Sequence, residues 1–413
     1  MLERFLSLFK QEFFLRVLDF TIDSMPVWAP ILLFVLLVKT WLRYKQALWI
    51  HEQGSILLEI KLPKEITKSP AAMELVFYGL WEDVVGTLLD VYLKGQVRYW
   101  FSLEIVSIGG EVKFFIWTMP KWKNIVESRI YAQYPGAEVV EVKDYTLDTV
   151  FNPNEVKIWG SQLALAKPDA YPIKTYVDYG LDKESTEEEE KVDPLTPFLE
   201  YLGSLKAGEQ VWFQILIEAH RKEGFQDARI FKKPDWKEAA KKEIKKIIEE
   251  EAFIKSEGEK PATLLGLTST QTETIKAIER SLGKHVFNTG MRVLYVAKND
   301  AYDSMAGMGL IGSIRQFGSY NLNGIKPVWF TGLAYPWQDF GGARKRRRQR
   351  MIFDAYKRRS FFHEPYKFFK ARPFVLTTEE LATVFHFPGS VATTPTVPRV
   401  VSKKTTAPPN LPI

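Results

Sequence analysis

The chain has no cysteine in 413 residues, which excludes disulfides, a thiolate nucleophile, cysteine-ligated zinc and cysteine-ligated iron–sulfur clusters. Histidine is scarce as well. His51, His220, His285, His363 and His386 are scattered, with no HExxH pair and no short-range partner suited to a metal. A phosphate-cradling Walker A loop is also missing: Gly283-Lys284 is followed by His285, lacks the upstream glycine, and reads as the end of a helix. Long uncharged apolar runs are nearly absent too. Only Ser24 to Val38 (SMPVWAPILLFVLLV) approaches a bilayer span, and Lys39, Arg43 and Lys45 follow it closely.

A spanning helix wants about 20 apolar residues. The run reaches that length if Thr40, Trp41 and Leu42 are included and Lys39 snorkels. Trp28 and Trp41 suit the two interfaces, and the basic residues that follow favour a cytoplasmic C-terminal side, hence an N-out, C-in single span that with its juxtamembrane segment occupies 24–50. The alternatives are a buried core helix or a cleaved signal peptide; the second fits poorly, because the apolar part begins late and no small-residue cleavage site follows. Upstream, over 1–23, Leu2, Phe5, Leu6, Phe9, Phe13, Val17 and Phe20 recur at helical spacing. That pattern predicts an amphipathic helix in the headgroup layer or against a partner's span.

Hydrophobic residues make up 46% and aromatics 14% of the chain, enough for a substantial core divided between two units. The net charge is only +6, so local placement of charge matters more than its sum. In the first unit, 51–150, Ser55 to Leu62 alternates as a strand, and Ser69-Pro70 opens a helix through Trp81. Val97 to Ile108 and Glu111 to Thr118 are strands flanking Gly109-Gly110, a dipeptide suited to a tight hairpin. A helix from Pro120 to Tyr134 and a strand over Glu138 to Val142 complete a split βαβ order.

The order recurs in a second unit, 151–335. Ile173 to Tyr179 is expected as its first strand, then a helix from Asp193-Pro194 to Leu205, strands over Val211 to Ala219 and Arg292 to Ala297, and a helix through Phe317. WFQILI in the second unit corresponds to WFSLEI at Trp100 to Ile105, which suggests a diverged copy, with chance likeness between amphipathic strands as the alternative. An insertion over 221–284 carries Trp236 to Phe253 and Thr270 to Leu282 as a helical hairpin projecting from the sheet, either a solvated appendage or a docking arm. The expected class is therefore α+β, an N-terminal membrane helix followed by two ferredoxin-like (βαββα) units, the second with a helical-hairpin insertion. A basic helical segment, 336–390, and a Pro/Thr-rich extended tail, 391–413, follow; the acidic run Glu184 to Glu190 reads as a linker rather than a calcium loop.

Two stretches bear on ligands. Gly307, Gly309 and Gly312 have the GxGxxG spacing, but they sit inside an apolar helical pattern with no partner acid, which favours close helix packing over a dinucleotide. The second is the basic strip Arg344, Lys345, Arg346, Arg347, Arg348 and Arg350, continued by Lys357, Arg358, Arg359, Lys367, Lys370 and Arg372. Phe353, Tyr356, Phe361, Phe362, Tyr366, Phe368 and Phe369 are interleaved with it. Such residues bind phosphates of anionic lipid or of nucleic acid, or an acidic protein surface, and the three readings use the same charges; the aromatics alone decide nothing, since core packing is the alternative for several of them. No catalytic, metal or cofactor residue is assigned.

Four blocks add a resemblance: Leu57 to Leu75, Trp100 to Thr118, Ile130 to Tyr145 and Thr377 to Gly389. They resemble a bacterial family whose membrane-anchored N-terminal module precedes, or is encoded beside, a HerA/FtsK-like ATPase of the type IV secretion and conjugation class. This chain has neither a Walker A nor a Walker B pattern, so ATP hydrolysis does not carry over. The resemblance implies a non-enzymatic membrane scaffold or accessory subunit, with the ATPase supplied in trans and homo-oligomerisation possible. The competing expectations are a lipid- or nucleic-acid-binding surface protein and an enzyme of unrecognised type.

Overall fold

The computed structural model describes residues 2–63, 68–183, 192–222, 235–255, 267–333, 335–367, 370–389 and 399–400. The acidic run, Phe368, Phe369 and nearly all of the tail lie outside them. The chain divides into two units, one made of residues 1–52 and 85–97 with a few others, the second holding the rest.

The first unit is built on α1 (Leu2–Asp23) and α2 (Met25–Gln53). Ser24 breaks the run between them, its hydroxyl donating to the Phe20 carbonyl at 2.7 Å, while Trp28 Nε1 donates to the Thr21 carbonyl at 3.1 Å. From Phe13 to Ile22 the apolar side chains are exposed, and so are Ile31, Leu32, Leu33, Phe34, Leu36 and Leu37 of α2. By length and composition α2 is long and apolar enough to cross a membrane, and none of its most apolar stretch is buried. A π-helical turn, Asp90–Lys94, lies beside it, with Trp41 Nε1 donating to the Tyr92 carbonyl.

The second unit is an antiparallel sheet covered by helices on both faces. Its first part runs β1 (Ile56–Pro63), α3 (Ala71–Leu80), β2 (Trp100–Ile108), β3 (Glu111–Thr118), α4 (Lys123–Gln133) and β4 (Glu138–Val142), in the spatial order β4-β1-β3-β2 with antiparallel neighbours. The hairpin at Gly109-Gly110 needs φ of +59° and +91° at its two central residues, a backbone that glycine adopts without strain.

The second part runs β5 (Val156–Leu165), α5 (Thr196–Gly203), β6 (Glu209–Ala219), α6 (Trp236–Lys255), α7 (Ser269–Leu282), β7 (Val286–Lys298), α8 (Ala306–Ile314) and β8 (Ile325–Phe330). Its order is β8-β5-β7-β6, again antiparallel throughout. The two parts are one sheet, not two, because β2 pairs with β6 from Trp100↔Glu218 to Ile108↔Gln210. In that register Leu103 faces Ile215, the fourth residues of WFSLEI and WFQILI, so the two similar segments meet about a local twofold.

Ile173 to Tyr179 is not the first strand of this part; Val156–Leu165 is. The alternation of Ile173, Thr175 and Val177 imitates a strand, but its amides bond elsewhere: Ile173 N donates to Glu380 Oε1 and Tyr176 N to Thr383 Oγ1, both on a later helix. The helical insertion lies between β6 and β7 as expected. It is docked rather than wholly projecting: Ala240 and Ile278 pack with Ala170, and Trp236 packs on Val286 and Val375.

The chain closes with α9 (Ala343–Lys357), β9 (Phe374–Thr377), α10 (Thr378–Val384) and the two-residue β10 (Arg399–Val400). β9 pairs with the start of β7, and β10 pairs in parallel with the end of β1. α10 opens with a capping box, Thr377 with Glu380. Phe385 beyond it packs on Phe77 and Phe114, and Phe387 on Phe114 and Tyr134. On the opposite face of the sheet α9 lays Phe353 and Tyr356 against Trp212.

Candidate anion-binding surface

The basic helix is held down at its C-terminal end by a buried polar row. Glu104, Gln214, Arg292 and Gln162 are cross-strand neighbours on β2, β6, β7 and β5, and all are fully buried. Arg359, just past α9, reaches this row. Its Nε donates to Glu104 Oε1 at 3.0 Å, its Nη2 to Glu104 Oε2 at 3.2 Å, and its Nη1 and Nη2 to Asp144. Burial opposes the guanidinium charge, but Glu104 and Asp144 outweigh it and hold Arg359 firmly protonated. Glu104 also accepts from Ser102, Gln214 and Tyr145, so both carboxylate oxygens are satisfied.

Arg359 is therefore a correction to the expected phosphate-binding set: it is 1% exposed and fully engaged in the core. Others are tied back to the protein. Arg344 donates to the Gln338 carbonyl, Arg348 to the Gly332 carbonyl with its guanidinium over Trp329, Lys357 to the Thr149 carbonyl, and Arg358 to Asp354. Lys345 is exposed on the first turn, where Asp339 caps the helix by accepting from the Arg344 and Lys345 amides.

Arg346, Arg347 and Arg350 are brought together. They line one open groove of about 500 Å³ with Asp354 and Tyr366, whose hydroxyl donates to Asp354 Oδ2 at 2.7 Å. Tyr366 and Asp354 are thus oriented to each other, leaving three exposed guanidinium arms at the groove. Phosphate or carboxylate oxygens are what planar guanidinium forks bind best.

Of the two readings of the interleaved aromatics, base stacking and core, four residues take the second. Phe353, Tyr356, Phe361 and Phe362 are core residues: the first two belong to the apolar stripe that α9 turns to the sheet, and the other two lie beyond its end. The exposed rings lie before the helix instead. Tyr335 and Trp337 stack at 4.5 Å and 10°, and Phe340 is 87% exposed. The glycine-rich segment from Thr331 to Gly342, with polar and apolar residues mixed, was the available sequence signal.

The glycines of the GxGxxG spacing serve packing in α8. A Cβ on Gly307 would lie 2.5 Å from the Trp159 ring and one on Gly309 2.5 Å from the Tyr201 ring, whereas Gly312 has open space. Among the described residues no group of three His, Asp or Glu side chains is placed to hold a metal ion.

The family model of a domain of unknown function, DUF8128, matches residues 59–399. The chain belongs to the DUF8128 family. The DUF8128 domain accordingly runs from within β1 to β10, takes in the whole sheet, α9 and the arginine groove, and leaves α1 and α2 outside. No curated protein matches the chain in sequence.

Proposed function

We propose that this DUF8128 protein is a non-enzymatic scaffold, anchored in the bacterial inner membrane by α2 with its body cytoplasmic, that docks a separate HerA/FtsK-like ATPase in a DNA- or protein-translocation apparatus. The observation that carries the anchor is α2 itself: an apolar helix of 29 residues on which Leu32, Leu33, Phe34, Leu36 and Leu37 are exposed. In water such a surface is strongly unfavourable; in acyl chains it is solvated.

The motor-docking half rests on the resemblance of four sequence blocks, and their placement supports it. They form β1–α3, β2–β3, α4–β4 and β9–α10, which converge where Phe385 and Phe387 meet Phe114, Phe387 meets Tyr134 and Thr378 donates to Glu74. The blocks therefore act as one packed body. The repeated strand order, fourth-first-third-second, supports reading that body as two ferredoxin-like copies fused through β2 and β6.

Affinity purification of the full chain from detergent-solubilised membranes tests both halves. Retention in the membrane pellet after alkaline carbonate, together with recovery of a hexameric ATPase, is the expected result. A chain released by carbonate removes the anchor; a retained chain that is recovered alone removes the motor.

A further inference from the structure

The arginine groove and the exposed rings before it lie on the same stretch of chain, and no described part of the fold explains their exposure. β8 is an edge strand whose exposed residues are Lys326, Val328 and Phe330. The chain then passes through Tyr335, Trp337 and Phe340 into Arg346, Arg347 and Arg350. Arg348 ties the two ends of this stretch together, bonding the Gly332 carbonyl from within the helix.

We propose that this surface, the β8 edge, the Tyr335–Phe340 loop and the first half of α9, is a second membrane contact that docks on a leaflet of anionic phospholipid. The inference rests on the membrane-anchored reading, and deepens it by assigning the body its own lipid-binding face. The chemistry has two parts. Phe340, Trp337 and Tyr335 are a phenyl, an indole and a phenol at one loop, the side-chain set that settles at the headgroup level of a bilayer. Arg346, Arg347 and Arg350 follow within three helical turns and supply guanidinium groups for lipid phosphates.

A single-stranded nucleic acid uses arginines and rings as well, but this surface suits it less. Tyr335 and Trp337 already stack on one another, which takes up one face of each ring. Val328 has no ring at all, and Lys357, Arg358 and Arg359, the basic residues that end α9 and follow it directly, are tied down or buried, so the cationic track does not extend to the end of the helix. A lipid surface needs neither. Because α2 tethers the chain, even weak attachment by the loop is favoured by high local lipid concentration.

The absence of native cysteine makes the test direct. The full chain carrying Phe340→Cys is labelled with an environment-sensitive fluorophore and placed in nanodiscs of phosphatidylcholine, with or without phosphatidylglycerol, that contain a lipid-borne quencher. Tyr320→Cys, at a fully exposed turn, is the reference position. Salt-sensitive quenching at 340 but not at 320, confined to the anionic discs, is expected. Arg346→Ala, Arg347→Ala and Arg350→Ala together weaken it on the order of a hundredfold, from about 1 kcal/mol for each basic residue near an anionic surface, while the three lysine replacements retain it.

A chain that inserts into the discs but whose 340 label stays as aqueous as the 320 label overturns the lipid contact and leaves the anchor standing. Retention of a single-stranded oligonucleotide with an aqueous 340 label does the same in favour of nucleic acid. If the chain does not insert, flotation decides: salt-sensitive flotation with anionic vesicles upholds the contact without the anchor, and no flotation removes both.

Discussion

Arg359 and Glu104 form a buried ion pair across 255 residues of sequence, with the guanidinium Nε 3.0 Å from Glu104 Oε1. Asp144 is a second carboxylate on the same guanidinium, and the Tyr145 and Tyr356 hydroxyls, 2.8 Å apart, close the network above Trp212. The pair fixes the end of the basic helix to the strand that joins the two parts of the sheet. Arg359→Met leaves the buried Glu104 and the partly exposed Asp144 without their shared counter-charge, an expected loss of about 3–5 kcal/mol. Urea unfolding of the detergent-solubilised chain measures it, and Glu104→Gln added to Arg359→Met recovers part of the loss. An Arg359→Met chain as stable as the parent would mean that the pair does not hold the helix.

The three glycines of α8 separate packing from ligand binding. Gly307→Ala and Gly309→Ala place a methyl against the Trp159 and Tyr201 rings and are expected to cost about 1–3 kcal/mol each. Gly312→Ala meets nothing within 4 Å and should be neutral or stabilise the helix by up to about 1 kcal/mol. Thermal melts of the three variants distinguish this pattern from a dinucleotide loop, in which bound dinucleotide would raise the parent's melting temperature and the Gly312 variant would lose that shift.

His363 gives the fold an acid-sensitive point. Its ring packs 5.1 Å from that of Trp100 with Nε2 buried and unpartnered, and burial, helped by the charges of Lys367 and Arg98, pushes its pKa down from 6.5 to about 3. Between those values the unfolded chain takes up a proton that the folded chain refuses, so stability falls as pH drops from about 6.5, by up to about 1.4 kcal/mol per unit. Denaturant midpoints at pH 7, 6 and 5 follow this slope. His363→Phe should flatten it; a variant that keeps the full slope assigns the acid sensitivity to other groups.

The anchor has its own test. Arginine at the centre of a spanning helix costs about 2.5–3.5 kcal/mol, so Leu33→Arg with Leu36→Arg should shift the chain from the carbonate-resistant pellet to the supernatant. The same pair of changes at Leu75 and Tyr78, exposed on α3, should leave it in the pellet.

Much of the architecture was legible locally. The Gly109-Gly110 hairpin, the helix opening near Ser69-Pro70 and the helical insertion each depend on a few adjacent residues whose preferences agree with the fold. Two errors had one cause. Ile173 to Tyr179 alternates like a strand, yet its amides are claimed by Glu380 and Thr383; Val156–Leu165 carries Gly160, Ser161 and Gln162 in its middle and hides its alternation, although Gly160 is where Ile352 of α9 packs. Alternation reports which side of a chain is apolar, not which partner takes its hydrogen bonds.

The sequence by itself determined that a long apolar helix stands ahead of an α+β body and that positive charge gathers near 344–359, because length, composition and charge need no partner to be read. Tertiary structure decided what those charges are for. Arg359 became a core ion pair, Arg344 and Arg348 became fasteners for the preceding loop, and Arg346, Arg347 and Arg350 stayed free at one groove. The physical reason is that a guanidinium has the same charge wherever it sits, while its availability depends on carboxylates and carbonyls delivered by distant strands and loops.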